Sequence, residues 1–332
     1  MKAKAVVFPK ADSFEVRELE LDELGENDVI VKTLVTAISP GTERWILRGK
    51  HIGTRFPCVP GYHRVSVVEE CGPGVKGLGP GEIVYGCASR WKGEVYSMWG
   101  AHMERAVADW RQFTYLSSSW LSRLEIESLS LAIVSGVATR GIRFLEVKEE
   151  DRVVIIGAGF IGLGAAQLCV YRNAVALLVE IDQERRKFAE SLGFVAISPE
   201  DQCLRQFLRE KAPTGIDMLY DTVGHAPTTD KLVKFVRRQG KILLQAQYFD
   251  REKCAIDLDQ IKIREITVKT TCGVSKEDLE ETFSLIRRRI LNIPGMITHR
   301  FEAEDILKGY EILHTGKPFN LGIVFRWDKR VV

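Results

Sequence analysis

The sequence predicts an α/β fold in which a doubly wound parallel sheet, over residues 121–274, is inserted in a β-rich domain formed by 1–120 and 275–332. Three observations carry this. Short apolar runs broken by turn chemistry fill the first third of the chain. Strand and helix patterns alternate through the middle, and a helix-plus-strand pattern returns at the end. The pivot is Val153-Val154-Ile155-Ile156, which reads as a strand buried on both faces, as a parallel sheet requires.

In chain order, Ala5-Val6-Val7-Phe8, Val29 to Thr33 and Val65 to Val68 are short strands, punctuated by Gly72-Pro73-Gly74 and Gly79-Pro80-Gly81. Leu124 to Leu145 reads as helical. After the pivot strand come a helix from about Leu163, the strand Val175 to Val179, a helix over Arg185 to Leu192, the short strand Ala196-Ile197 and a helix over Leu204 to Lys211. Met218 to Asp221 is a strand closed by Val223-Gly224, Lys231 to Arg238 a helix ended by Gly240, and Lys241 to Leu244 a strand. A helix over Leu279 to Ile290, the stretch Ile297 to Phe301, a helix over Ala303 to Leu313 and the strand Gly322 to Phe325 close the pattern.

Gly157, Gly159 and Gly162 come after the pivot strand at G-x-G-x-x-G spacing, with Phe160 and Ile161 between them. Gly157 permits a tight turn, Gly159 lets the backbone approach a pyrophosphate, and Gly162 lets the helix sit close to the strand. Glu180 ends the second strand, where a carboxylate accepts ribose hydroxyl protons and repels the 2′-phosphate of NADP. NAD is therefore the expected cofactor. Arg185, with Arg186 and Lys187 one helical turn on, reads first as a solvated helix face and second as a basic group that softens the preference, and Val223 completes the expected cofactor set.

A net charge of +2 points to neither a nucleic-acid nor a membrane partner. No apolar run approaches a membrane span, and Met1-Lys2-Ala3-Lys4-Ala5 lacks a signal-peptide core, so a cytoplasmic location is expected. The seven cysteines are scattered and contain no C-x-x-C pair, which indicates neither a disulfide framework nor a cysteine-rich zinc knuckle.

The order of these pieces resembles the medium-chain dehydrogenase/reductase family. Its landmarks here are Ile38-Ser39-Pro40-Gly41-Thr42-Glu43, Val59-Pro60-Gly61-Tyr62-His63, Gly100-Ala101-His102-Met103-Glu104, Gly136-Val137-Ala138-Thr139, the Gly157 loop and Ile297 to Phe301. The resemblance implies a GroES-like catalytic domain, a Rossmann domain and a homodimer paired through edge strands, for which Thr267 to Thr271 and the region of Ile242 are candidates. The residues that hold the family's catalytic zinc are absent: Pro40 stands where a cysteine is expected, and Tyr62-His63 where His-Glu is expected. A set of His63, Glu43 and Cys58 can be written, but its spacing does not argue for a site, and no metal is expected.

Without zinc, a positioned acid or base must move the hydroxyl proton. Thr42 stands where the family keeps a proton-passing serine or threonine. Tyr62 and His63 are the acid/base candidates, the phenol as proton donor and the imidazole as base. Glu43 is read as holding Arg44 or His63, or as a surface carboxylate. Trp45, Trp91 and Trp99 are candidates either to stack on a cyclic or ring-bearing substrate or to fill the core of a domain without its zinc lobe. The Ser39–Arg44 and Pro60–Tyr62 segments are similar to the bacteriochlorophyllide hydroxyethyl dehydrogenase group. The expected function is NAD-dependent, zinc-independent interconversion of a secondary alcohol and a ketone on a small molecule. An NADPH-dependent quinone or enoyl reductase and a non-catalytic dinucleotide-binding protein are the alternatives.

Overall fold

In the computed structural model, which describes residues 1–202, 204–248 and 254–331, contacts divide the chain into two compact units. They are Met1–Ile133 with Ile293–Val332, and Val134–Asn292. Cys203 lies outside the described residues. The chain begins with β1 (Lys2–Val7), β2 (Glu15–Glu20), β3 (Asp28–Ala37), α1 (Pro40–Leu47), β4 (Cys58–Val59), β5 (His63–Cys71) and β6 (Ile83–Tyr85). Next come β7 (Tyr96–Ser97), β8 (Arg105–Asp109), β9 (Thr114–Ser117), α2 (Arg123–Ser130) and α3 (Ala132–Leu145). The middle holds β10 (Arg152–Ile156), α4 (Phe160–Tyr171), β11 (Val175–Val179), α5 (Gln183–Ser191), β12 (Val195–Ile197) and α6 (Leu204–Lys211). It continues with β13 (Ile216–Asp221), α7 (Ala226–Val233), β14 (Val236–Leu244), α8 (Leu258–Ile263), β15 (Thr267–Thr270) and α9 (Lys276–Arg287), before β16 (Ile297–Glu302), α10 (Ile306–Thr315) and β17 (Gly322–Arg326).

The first unit is built on a sheet ordered β16-β17-β3-β5-β6-β9, with β8 also on β3. All its pairs are antiparallel except β16–β17. Strand β3 is buried along nearly its whole length, because apolar clusters that include Val29 and Val31 on one side and Ile38, Ile46 and Phe325 on another enclose it. Glu127 on α2 is fully buried and holds Arg300 at 2.8 Å and Arg326 at 2.7 Å, tying α2 to β16 and β17. The β3–β5 register matches the ends of the two strands: Ala37, the last residue of β3, pairs with His63, the first of β5. Ser39 and Tyr62, just beyond that pair, therefore emerge at the same end of the sheet.

The second unit is a wholly parallel six-stranded sheet ordered β12-β11-β10-β13-β14-β15. The apolar run Val153–Ile156 occupies its interior, as both-face burial demands. Its last helix, α9, starts with a capping box between Ser275 and Asp278, and the Asp278 carboxylate then receives Arg140 and Arg143 of α3. Those bonds attach α9 to this unit, although the sequence assigns 275–332 to the β-rich domain; α2, assigned to the inserted domain, packs with the first unit instead.

Two local expectations change. The helix expected over Lys231–Arg238 is α7, which starts earlier because Pro227 sets its first turn. Strand β14 already begins at Val236, and Gly240 lies inside it, where a side chain would press on Val236 and the Asp217 carbonyl. Ile242 is 1 % exposed in the core, so only β15 offers the sheet edge there, with Val268 on it 41 % exposed. Among the described residues no single helix is long and apolar enough to cross a membrane.

Candidate active site

In the first unit, Ser39 is the N-cap of α1, a place where a serine hydroxyl ordinarily accepts a backbone N–H of the first turn. Here it makes no such bond and pairs instead with the Tyr62 hydroxyl, while Thr42 Oγ1 stands 3.4 Å from the same phenol. Tyr62 is half-buried and Ser39 buried. Burial, reinforced by the nearby Glu43 charge, raises the Tyr62 hydroxyl above the ordinary tyrosine value, and the Ser39 and Thr42 bonds pull the other way. The balance leaves a protonated phenol at neutral pH, placed between two hydroxyls.

Beneath it lies a buried polar hub that no sequence motif announces. Glu43 is fully buried, so it is not a surface carboxylate. Its Oε1 accepts the Ser39 backbone N–H at 2.8 Å, and Oε2 meets His102 Nε2 at 3.1 Å and the Tyr310 hydroxyl at 2.8 Å. Arg44 instead donates to the Leu313 carbonyl. His102 fits only because position 61 is glycine: at φ +91° a side chain there would be strained, and its Cβ would collide with the imidazole. The signal for His102 was its place in the Gly100–Glu104 landmark; Tyr310 gave none.

His63 is fully buried, with Nδ1 3.0 Å from the Tyr85 hydroxyl and no partner for Nε2. Burial, with His102 close by, pushes it down to about 3. The sequence alone suggests the ordinary histidine value near neutrality; in its actual surroundings the ring stays neutral and is a poor base. The donors also do not fit a zinc ion. Burial pushes the Cys58 thiol up to about 12, and Glu43 and His102 already bond each other. Among the described residues no group of three or more His, Cys, Asp or Glu could hold a metal, and a catalytic zinc needs three protein ligands.

The three tryptophans separate. Trp99 is 40 % exposed and stands edge-on to Tyr62, ring centres 5.4 Å apart, with His51 on it at 5.6 Å. Its backbone is left-handed, φ +73°, an uncommon and costly state for a bulky residue. Trp91 has its indole N–H tied to the Val95 carbonyl and its ring, partly buried, packed against the apolar core, the space-filling arrangement. Trp45, on α1, carries the Lys50 ammonium 5.8 Å over its ring.

In the second unit, the chain turns at Gly157, φ +97°, where a side chain would strike Val223 and Thr222; a Cβ on Gly162 would strike the Gly157 carbonyl. Gly159 caps α4 with no side chain over the helix end, so Phe160, buried, and Ile161, half-buried, open a first turn with free N–H groups. Glu180 is 8 % exposed; Oε2 accepts the Ala158 N–H at 2.8 Å and Oε1 the Asp182 N–H at 2.9 Å. A carboxylate has about four acceptor positions, so ribose hydroxyls can still be received. Arg185 reaches the loop, with Nη1 3.9 Å from where a Gly159 Cβ would stand. Val223 is held by its N–H on buried Asp221, which also receives Gly224 N–H, Thr229 and Tyr248. These residues fit a dinucleotide.

Comparison with known proteins agrees with both halves. Residues 25–118 match the alcohol dehydrogenase GroES-like domain, and 161–288 match the zinc-binding dehydrogenase model. The chain is 25 % identical to 2-desacetyl-2-hydroxyethyl bacteriochlorophyllide A dehydrogenase of Cereibacter sphaeroides, covering 98 % of this chain and 99 % of that one. It is 26 % identical to L-threonine 3-dehydrogenase of Vibrio cholerae, covering 95 % and 97 %. Benzyl alcohol dehydrogenase from Acinetobacter calcoaceticus shares the fold with TM-score 0.85 at 18 % identity, over 98 % of this chain and 99 % of that one. Two domain models in the family's order, spanning most of the chain, place it in the medium-chain dehydrogenase/reductase family of NAD(P)-dependent oxidoreductases.

Proposed function

We propose that the chain is an NAD-linked, zinc-independent dehydrogenase that interconverts a secondary alcohol and a ketone on a cyclic, sugar- or cyclitol-like or ring-bearing substrate, with Tyr62 as its proton donor. The observation that carries this is the Tyr62 phenol, kept protonated by burial and bracketed by Ser39 and Thr42. A nicotinamide dinucleotide bound at the Gly157 loop supplies or accepts the hydride. In the ketone-reducing direction the Tyr62 O–H gives its proton to the carbonyl oxygen, as a general acid. Thr42, half-buried and 3.4 Å away, returns a proton to the phenol from outside. His63 stays neutral and takes no proton.

The edge-on pair of exposed Trp99 and half-buried Tyr62 supports a flat or ring-bearing substrate, and a relative is named for a hydroxyethyl bacteriochlorophyllide. In this reading the first unit holds substrate and the second holds cofactor. Glu180 favours NAD over NADP. The exposed β15 edge supports pairing with a second copy, as β15 ends its sheet, and the same reading sets the protein in the cytoplasm.

The test is a titration with NADH and NADPH paired with elemental analysis for zinc, followed by a screen of ring-bearing ketones with wild type and Tyr62→Phe. Tighter NADH, no zinc and Tyr62-dependent turnover support the proposal. Stoichiometric zinc overturns the mechanism. Preferred NADPH redirects the search to quinones and enones, and binding without turnover leaves a non-catalytic role.

A further inference from the structure

The bonds around Glu43 have a direction fixed by the chemistry of their ends. An indole N–H only donates, so Trp327 Nε1, 2.9 Å from Thr36 Oγ1, donates to that hydroxyl. At the other end His102 Nε2 stands 3.1 Å from Glu43 Oε2, and a carboxylate only accepts, so the ring carries its proton on Nε2 and donates it there. Nδ1 of that neutral ring is an acceptor and takes the proton of the Thr36 hydroxyl, 2.9 Å away. The Tyr310 hydroxyl donates to the same oxygen and the Ser39 backbone N–H to the other. Glu43 is the acceptor in all three. Thr36, Glu43, His102 and Tyr310 are fully buried, so water does not compete for these bonds.

We propose that Trp327, Thr36, His102 and Glu43 form a one-way hydrogen-bond chain that locks His102 in its Nε2–H tautomer and makes Glu43 the positioning residue for the Ser39–Tyr62 hydroxyl pair. Glu43 reaches back from α1 to hold the Ser39 amide, and Ser39, released from capping, turns its hydroxyl to Tyr62. The geometry supports the chain by itself; its catalytic meaning rests on Tyr62 as proton donor.

The test is nuclear magnetic resonance on the full chain, with no substrate, so its outcome is independent of any turnover assay. With six histidines, an imidazole nitrogen-15 spectrum is sparse, and His102→Gln assigns the line. The expected wild-type result is a protonated Nε2 and a bare Nδ1. A protonated Nδ1, alone or in an imidazolium, overturns the chain without any variant. Trp327→Phe removes only the donor at the head, so Nε2 should stay protonated against Glu43; a proton moved to Nδ1 in this variant overturns the assignment of Glu43 as the group that fixes the tautomer. Glu43→Gln keeps the shape but cannot accept from Ser39, His102 and Tyr310 together. Either the His102 line or the tyrosine Cζ line of Tyr62, assigned with Tyr62→Phe, must shift. Both lines unmoved would show that Glu43 only fills space.

Discussion

Replacing Tyr62 by Phe removes one oxygen and leaves the ring against Trp99 and His63, at 5.4 and 4.6 Å. The hydroxyl bonds Ser39 closely and Thr42 at the long distance of 3.4 Å. Losing that pair costs about 1 kcal/mol of stability. The freed Ser39 sits at the N-cap of α1 and can resume capping, a bond also worth about 1 kcal/mol. The two nearly cancel, so the urea midpoint should barely move. The rate should not be spared: removing a general acid lowers kcat by about 10²–10⁴, roughly 3–5 kcal/mol at about 1.36 kcal/mol per tenfold. The assay is NADH oxidation with a ring-bearing ketone, alongside NADH affinity by fluorescence. The wild-type rate should hold through neutrality and fall only in strong alkali. The donor has its proton below its pKa, and that pKa lies above the ordinary value of about 10. In the Phe variant this alkaline limb should vanish. A variant within about tenfold of wild type, or one that keeps the limb, refutes the assignment.

Glu180→Ala strips the acceptor from the Ala158 and Asp182 amides; NADH affinity should fall about tenfold, near 1.4 kcal/mol, while NADPH loses less, in paired fluorescence titrations. Glu127→Ala leaves Arg300 and Arg326 without their buried carboxylate, and urea unfolding should show a loss of about 3–5 kcal/mol. His63 should make the protein acid-sensitive. Its folded value, about 3, lies below the unfolded 6.5, so between them the unfolded chain binds the extra proton. Its contribution is complete above pH 6.5 and drains as pH falls toward 3, by at most about 1.4 kcal/mol per pH unit. A His63→Gln variant should show a flatter stability profile over that window.

The Gly157 loop was legible because strand, glycines, helix and carboxylate lie within one short βαβ stretch, where local pattern and fold coincide. The same locality explains the alternating strands of the second unit. The hub was not legible. His102 meets Glu43 across 59 positions, Tyr310 across 267, and Trp327 meets Thr36 across 291, so no window of sequence contains the contact. Tyr62 and Thr42 stand out from the places they hold in landmark motifs, but the bond that turns Ser39 away from its cap depends on the Ala37–His63 register. Composition also fails to separate Trp91 from Trp99, and only packing sets one, partly buried, against the core and leaves the other exposed. The weak basicity of His63 was hidden because an imidazole's affinity for protons is set by its solvent, which the sequence does not display.

The order of the first sheet has a consequence for how the chain is made. Strand β3 carries β17 on its flank, and β16 hangs on β17, so neither place is filled until residues 297–326 have left the ribosome. The second unit is one unbroken segment and can fold while those places are still empty. Tyr310 and Trp327 arrive with the same late strands. The Glu43 hub is thus assembled last, and a nascent chain stalled before residue 310 would present Tyr62 with its support unfinished. Synthesis thereby holds the hub open until residue 327 has emerged.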